Sequence, residues 1–148
     1  MTIQDEVILA LTCWRENRGG KPQPQAMQAV ANVVLNRAKT HSTDAWTECT
    51  RAEQFSSLTA KGDPELILWP AKNDPEWQMA LSLAAEAASA GLTDLTGGAT
   101  LYYAPHGQTW AARFTLPNGT VIPFPDHWQE SKVVYTATVG AQVFFKSM

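Results

Sequence analysis

Thr2 and Asp5 stand at the spacing of a capping box, in which a hydroxyl and a carboxylate three residues apart close the start of a helix. Behind them Ile3, Val7, Leu11 and Trp14 recur at helical spacing, and Ile8 widens the stripe. The pattern predicts a helix to about Asn17, stopped by Gly19-Gly20 because glycine tolerates the left-handed conformation that ends helices. Lys21-Pro22-Gln23-Pro24 is then a connection, with Pro24 suited to the first turn of the next helix. Met27, Val30, Val34 and Ala38 mark one face of that helix. Ala26, Ala29, Ala31 and Val33 form a close-packed second side, so it is expected to be central and mostly buried.

From Thr40 to Asp63 the periodicity is poor, and Trp46, Cys49 and Phe55 are isolated apolar points. This stretch reads as a short helix plus loop or as an irregular segment over a groove. Asp63-Pro64 and Asn73-Asp74-Pro75 are turn or helix-start signals. Trp77, Leu81, Ala84, Ala85 and Ala88 then predict a helix from Glu76 to Ala90, ended by Gly91. Gly97-Gly98 opens a short β-like run, Ala99 to Tyr103, closed by Pro105. Asn118-Gly119 is a hairpin-turn signal. Lys132 to Lys146 reads as one or two strands with a break at Gly140. No repeat, linker or low-complexity tract divides residues 1–148. The expectation is one helix-rich α+β domain with a small antiparallel β region in its C-terminal half.

Composition narrows the class. At 148 residues, 45% apolar and 17% charged, the chain is long enough to bury a core without staples and is neither a disordered tail nor a fibre. Eleven Lys and Arg against fourteen Asp and Glu leave a net charge of −3, without the basic footprint of a duplex nucleic-acid binder. Its apolar stretches fall short of the roughly 20 residues that cross a bilayer. The N-terminus has no basic start and carries Asp5 and Glu6 ahead of its short apolar part, unlike a secretory signal. Cys13 and Cys49 form no CxxC, and His41, His106 and His127 have no ligand spacing, so neither metal nor cofactor is expected. The six Trp raise the odds of a flat ligand such as a sugar ring, beside their ordinary use as core.

Glu16 is the most informative carboxylate. A helix C-terminus carries partial negative charge and disfavours an ionised carboxylate, and Trp14 and Trp46 could add apolar surroundings. Both effects favour the neutral acid that cleavage of a glycosidic bond requires. The plainer reading is a solvated helix end whose neighbours Arg15 and Arg18 lower the pKa. Asn36-Arg37 reads as a hydrogen bonder and a cation at a helix end. Gln54-Phe55-Ser56 could offer an amide and a ring face to a sugar, or be a loop with one anchor. Tyr102 and Tyr103 lie on a β run and so point to opposite faces, one inward and one toward a ligand. Cys13 with His106 is a remote cysteine-hydrolase pair; a buried small hydrophobe is the better reading of Cys13.

Five pieces in order resemble the SleB-type cell wall hydrolases. Trp14 to Gly20 looks like that family's E-A/S-R-G-E motif, and Gln28 to Arg37 like its A-V-A-x-V-V-L-N-R helix. Gln54-Phe55-Ser56 matches Q-F-S, Gly97 to Pro105 is similar to G-G-A-L-Y-Y-x-N-P with one residue inserted, and Gly140 to Phe145 is similar to the closing G-x-H-x-F-Y/F. The resemblance implies a lysozyme-like domain acting on peptidoglycan glycan strands between N-acetylmuramic acid and N-acetylglucosamine. Glu16 is then the catalytic acid, with Gln54, Phe55, Ser56, Tyr102, Tyr103 and Trp46 as candidate substrate contacts. It further implies lytic transglycosylation, which needs one carboxylate. Hydrolysis would want a second, about 5–5.5 Å away for retention or about 6.5–9.5 Å for inversion, and Asp44, Glu48, Glu53 and Asp63 are the candidates.

The chain departs from the pattern. Gly20 replaces the second acid, Ala104 the Asn before Pro, Gln142 the closing His, and Asn17 the small residue after Glu16. Residues 109–121 have no counterpart and read as a flap over the groove. Without an export signal or a wall-binding module, the expectation is a monomeric phage endolysin, held in the host cytoplasm and acting on periplasmic peptidoglycan. It would have no nucleic-acid partner and no stable membrane insertion. The rival from another class is a non-catalytic peptidoglycan-binding module that stacks sugars on Trp14, Trp46, Phe55 and Tyr103.

Overall fold

The computed structural model describes residues 1–17, 23–51 and 54–148, with the backbone but not the side chain of Ser56. The expected helix stop at Gly19-Gly20 and the carboxylate Glu53 lie outside the described residues.

Helix α1 spans Ile3–Glu16 and opens on the expected capping box: the Thr2 hydroxyl accepts from Asp5 N, and the Asp5 carboxylate accepts from Thr2 N at 2.9 Å. Its apolar stripe is covered only in part. Ile3 and Val7 remain exposed, whereas residues 8–15 are all buried. Spacing identifies a helix face but not how far along it the neighbouring helices reach. Helix α2, Pro24–His41, has its proline in the first turn and is central and largely buried, as its alanines indicated.

The weakly patterned stretch holds two short helices, α3 at Ala45–Thr50 and α4 at Ser56–Thr59, and the Asp63-Pro64 signal opens a 3-10 turn at Pro64–Ile67. Asp44, Asp63 and Asp74 each cap the element that follows, the last being α5, Pro75–Ser89. Trp14 packs edge-on against Trp77, and its indole N–H donates to Asp74 Oδ2 at 3.0 Å, so one residue joins the core to the cap of α5. No described helix is long and apolar enough to cross a membrane.

The C-terminal half holds two antiparallel sheets. Strands β1 (Leu101–Tyr103), β5 (Gln142–Ser147) and β4 (Val133–Val139) lie in the order β1-β5-β4, and β2 (Arg113–Thr115) pairs with β3 (Val121–Pro123) around Asn118-Gly119. Gly140, at φ +58°, makes the tight turn between β4 and β5. A bulge at Thr136 interrupts that ladder. Alternation along β5 gives the sheet two chemically different sides. Phe144 points toward α2, where it is buried with Ala29, Val33 and Ala99. Val143 and Phe145 point the other way, into a second core with Tyr103, Leu116, Ile122 and Phe124. The β2–β3 hairpin supplies much of that second core. Residues 109–121 therefore cover the sheet on its Tyr103 side, not on the side of Glu16 where a flap was expected. The whole is the helix-rich α+β fold with a small antiparallel β region in the C-terminal half.

Candidate active site

α1 delivers two adjacent side chains, Arg15 and Glu16, to its C-terminal end. Asn17 closes that end by donating its side-chain amide to Cys13 O at 2.8 Å, which satisfies a carbonyl the helix would leave orphaned. Arg15 is buried and spends its fork on backbone oxygens: Nη1 donates to Ser57 O at 3.1 Å, and Nη2 to Leu66 O at 3.3 Å and Leu68 O at 2.9 Å. These bonds fasten α4 and the 3-10 turn to the end of α1. Burial lowers the Arg15 pKa while Glu65 and Asp63 act against it; a guanidinium keeps its charge through such a shift.

Glu16 is half-buried, and its Oε1 accepts a hydrogen bond from Tyr102 Oη at 3.1 Å. Burial pushes the carboxyl above the ordinary glutamate range. The Tyr102 bond and the Ser57 hydroxyl pull it back in part, and the like charges of Asp63 and Glu65 add to the rise. That Ser57 hydroxyl is buried and has no partner at full hydrogen-bond geometry. Burial and the neighbouring Glu16 together raise the Tyr102 phenol well above its ordinary range, so it keeps its proton and stays a donor.

Tyr102 is positioned from two directions. Its ring stacks on its cross-strand partner Phe144, 5.6 Å between centroids and 22° between planes. The backbone just before it is gripped by α2: Asn36 donates to Ala99 O at 3.0 Å and Arg37 Nε to Thr100 O at 2.6 Å. A polar ladder along α2 holds the loop leading there. Gln28 and Asn32 donate to Thr93 O, and Asn32 Oδ1 accepts from Leu95 N. Asp94 ties the turn by accepting from Thr96 N, Gly98 N and Asn36. Gly97 sits at φ +67° within it, and a Cβ there would come 3.3 Å from Thr136 Cβ, at the bulge of β4. Asn36 is thus the hydrogen bonder expected, but it and Arg37 lie inside α2 and grip the approach to β1 instead of closing a helix end. Arg37 is buried, lies over the Phe55 ring at 5.2 Å and bears on the Tyr102 phenol.

Of the residues expected from sequence, the structure brings Tyr102 to Glu16 and places Tyr103, Phe55 and Trp46 in other packing. Tyr103 is buried; its hydroxyl donates to Pro123 O at 2.7 Å, and its ring packs among Trp110, Trp128 and Phe145. Phe55 is fully buried beneath Arg37 and presents no ring face to solvent. Trp46 is half exposed, but its backbone N–H donates to Asp5 at the start of α1. Eleven residues separate Asp5 from Glu16, roughly 16 Å of helix axis at about 1.5 Å per residue, so Trp46 adds no apolar surroundings to the acid. Gln54 is exposed beside Phe55, and the Ser56 side chain lies outside the description. Trp14 is core.

The companion carboxylates are similarly sorted. Glu48 is buried and holds His41, Thr43 and Arg51. Burial alone would raise its carboxyl, but the bonds from Arg51, Thr43 and His41 outweigh that and hold it at about 2. Asp44 caps α3. Asp63 caps the 3-10 turn and bears electrostatically on Glu16. Cys13 is buried and its thiol is pushed far up, chiefly by burial, the opposite of what a nucleophile needs. Among the described residues, no cluster of His, Cys, Asp and Glu could hold a metal ion. Sequence reasoning missed Ser57 and the clasping role of Arg15. Adjacency to Glu16 was the available signal for the second; nothing marked the first.

The family model for Cell Wall Hydrolase matches residues 22–145. That span is most of the chain, and the protein belongs to this family. It is accordingly a peptidoglycan-degrading enzyme. The matched span begins after Glu16, so the candidate acid rests on its own geometry and motif. No curated protein matches the chain, and no solved structure does.

Proposed function

We propose that the chain cleaves the β-1,4 bond between N-acetylmuramic acid and N-acetylglucosamine, with Glu16 as the catalytic acid, as a lytic transglycosylase. The observation that carries this reading is the half-buried Glu16 carboxyl, raised above its ordinary range and oriented by Tyr102. Such a group keeps its proton into the pH range where an ionised carboxylate could not serve as an acid. Protonated Glu16 gives its proton to the bridging oxygen as the bond from muramic C1 breaks. The resulting carboxylate then takes the proton of the muramic C6 hydroxyl, whose oxygen closes on C1. The product is a 1,6-anhydromuramyl end, and Glu16 is left protonated for the next cycle. One carboxylate suffices.

Hydrolysis by a lysozyme-type muramidase is the second reading. Asp63 and Glu65 favour it, because both bear on Glu16 and a carboxylate there could activate water. Mass spectrometry of fragments released from purified sacculi separates the two. Anhydromuramyl ends support the transglycosylase, and reducing ends overturn it in favour of hydrolysis. Loss of fragments in Glu16→Gln tests the acid itself, and pelleting with sacculi without any release by wild type would leave only a binding module. The biological role we propose is that of a monomeric phage endolysin, held in the host cytoplasm until it reaches the periplasmic wall. Expressed in a Gram-negative host, it should lyse cells only once the inner membrane is permeabilised.

A further inference from the structure

Ile67 and Trp69 are 80% and 72% exposed, two large apolar side chains at alternate positions leaving the 3-10 turn. Scattered exposed apolar residues need no explanation, but this pair is held in place. Arg15 donates to the carbonyls on either side of Ile67, those of Leu66 and Leu68. Its guanidinium carbon lies 5.0 Å from the centroid of the Trp69 ring. Arg15 is itself buried, so the cation backing the indole is dry and the contact is worth more than at an open surface. The residue that anchors the indole is the one immediately before Glu16. Asp63 and Glu65, on the same short segment, bear on the Glu16 carboxyl. Trp69 is thus a solvent-facing ring seated on the buried side chain of the residue next to the candidate acid.

We propose that Trp69 is the stacking platform of a glycan subsite beside the bond that Glu16 cleaves, with Ile67 extending its apolar surface. The inference rests on the proposed glycan-cleaving function. The C–H face of a β-linked amino sugar is apolar and flat, and an indole backed by a buried cation offers a matching face at little cost in side-chain freedom.

The test uses sacculi and soluble glycan fragments prepared from them. Trp69→Ala should raise KM on sacculi about three- to tenfold with kcat little changed, and Trp69→Phe should recover part of the loss. Glu16→Gln protein should pellet with sacculi, and Glu16→Gln/Trp69→Ala much less. Independently of any Trp69 variant, glycan fragments should protect Trp69 in Glu16→Gln protein from oxidation by N-bromosuccinimide, read by peptide mass spectrometry. An unchanged KM in a cleaving Trp69→Ala enzyme, or no protection of Trp69 at any glycan concentration, overturns the subsite. Failure of wild type to release glycan fragments would instead strike the cleavage reading, and protection of Trp69 would still register as glycan binding.

Discussion

Tyr102 and Glu16, 86 residues apart in the chain, meet at 3.1 Å, phenol donating to carboxyl. A hydrogen bond to the ionised form favours it, so this contact lowers a carboxyl that burial raises. Removing the hydroxyl should therefore move the carboxyl further up. Because activity needs the protonated acid, the alkaline limb of the kcat/KM profile should shift to higher pH in Tyr102→Phe. The maximal rate should fall through looser positioning of Glu16. An alkaline limb that stays in place would show that the bond does not act on the catalytic group.

The neighbouring tyrosine should behave in the opposite way. Tyr103→Phe deletes the bond to Pro123 O in the aromatic core and should cost about 1 kcal/mol of stability. Its pH–rate profile should match wild type. Denaturant melts and pH–rate profiles on the two Phe variants make a direct comparison.

Glu16→Gln should be inactive yet no less stable. A carboxyl whose folded pKa is raised binds its proton more tightly when folded, so ionising it at neutral pH costs stability. The glutamine variant escapes that cost. It should melt above wild type near neutral pH, with the gap closing as pH falls toward the ordinary glutamate range and gone below it. A lower melting temperature for the variant at neutral pH would contradict this placement of the acid.

Glu48 should show the reverse linkage. Its folded pKa is depressed to about 2, so its contribution is complete above the ordinary glutamate range and disappears as pH falls toward about 2. Glu48→Gln should cost about 1–3 kcal/mol at neutral pH, and little at the acid end, in denaturant melts taken across that range.

Local chemistry was readable along the chain, and long-range placement was not. The Thr2–Asp5 box, the proline-led α2 and α5, the Asn118-Gly119 hairpin and the turn at Gly140 are short-range features, and each formed where expected. Period-two alternation shows that Tyr102 and Tyr103 part company, but not which one meets Glu16. That depends on which side of the sheet α2 covers. Phe55, Tyr103 and Trp46 read as candidate sugar contacts because an aromatic residue serves core and ligand equally well. Burial beneath Arg37, burial in the second core and the α1–α3 packing decided their places. Trp69 lies between the signals at Asp63-Pro64 and Asn73-Asp74-Pro75, in residues assigned to no element from sequence, where only the grip of Arg15 gives its position meaning.

Strand β1 takes its alignment from outside the sheet as well as from β5. Asn36 and Arg37 hold the carbonyls of Ala99 and Thr100, the two residues that lead into it. Helix α2 therefore works as an index pin, setting which link of the strand comes opposite the acid. A single residue inserted between Thr100 and Tyr102 would turn the phenol to the far side and separate a well-folded protein from its chemistry.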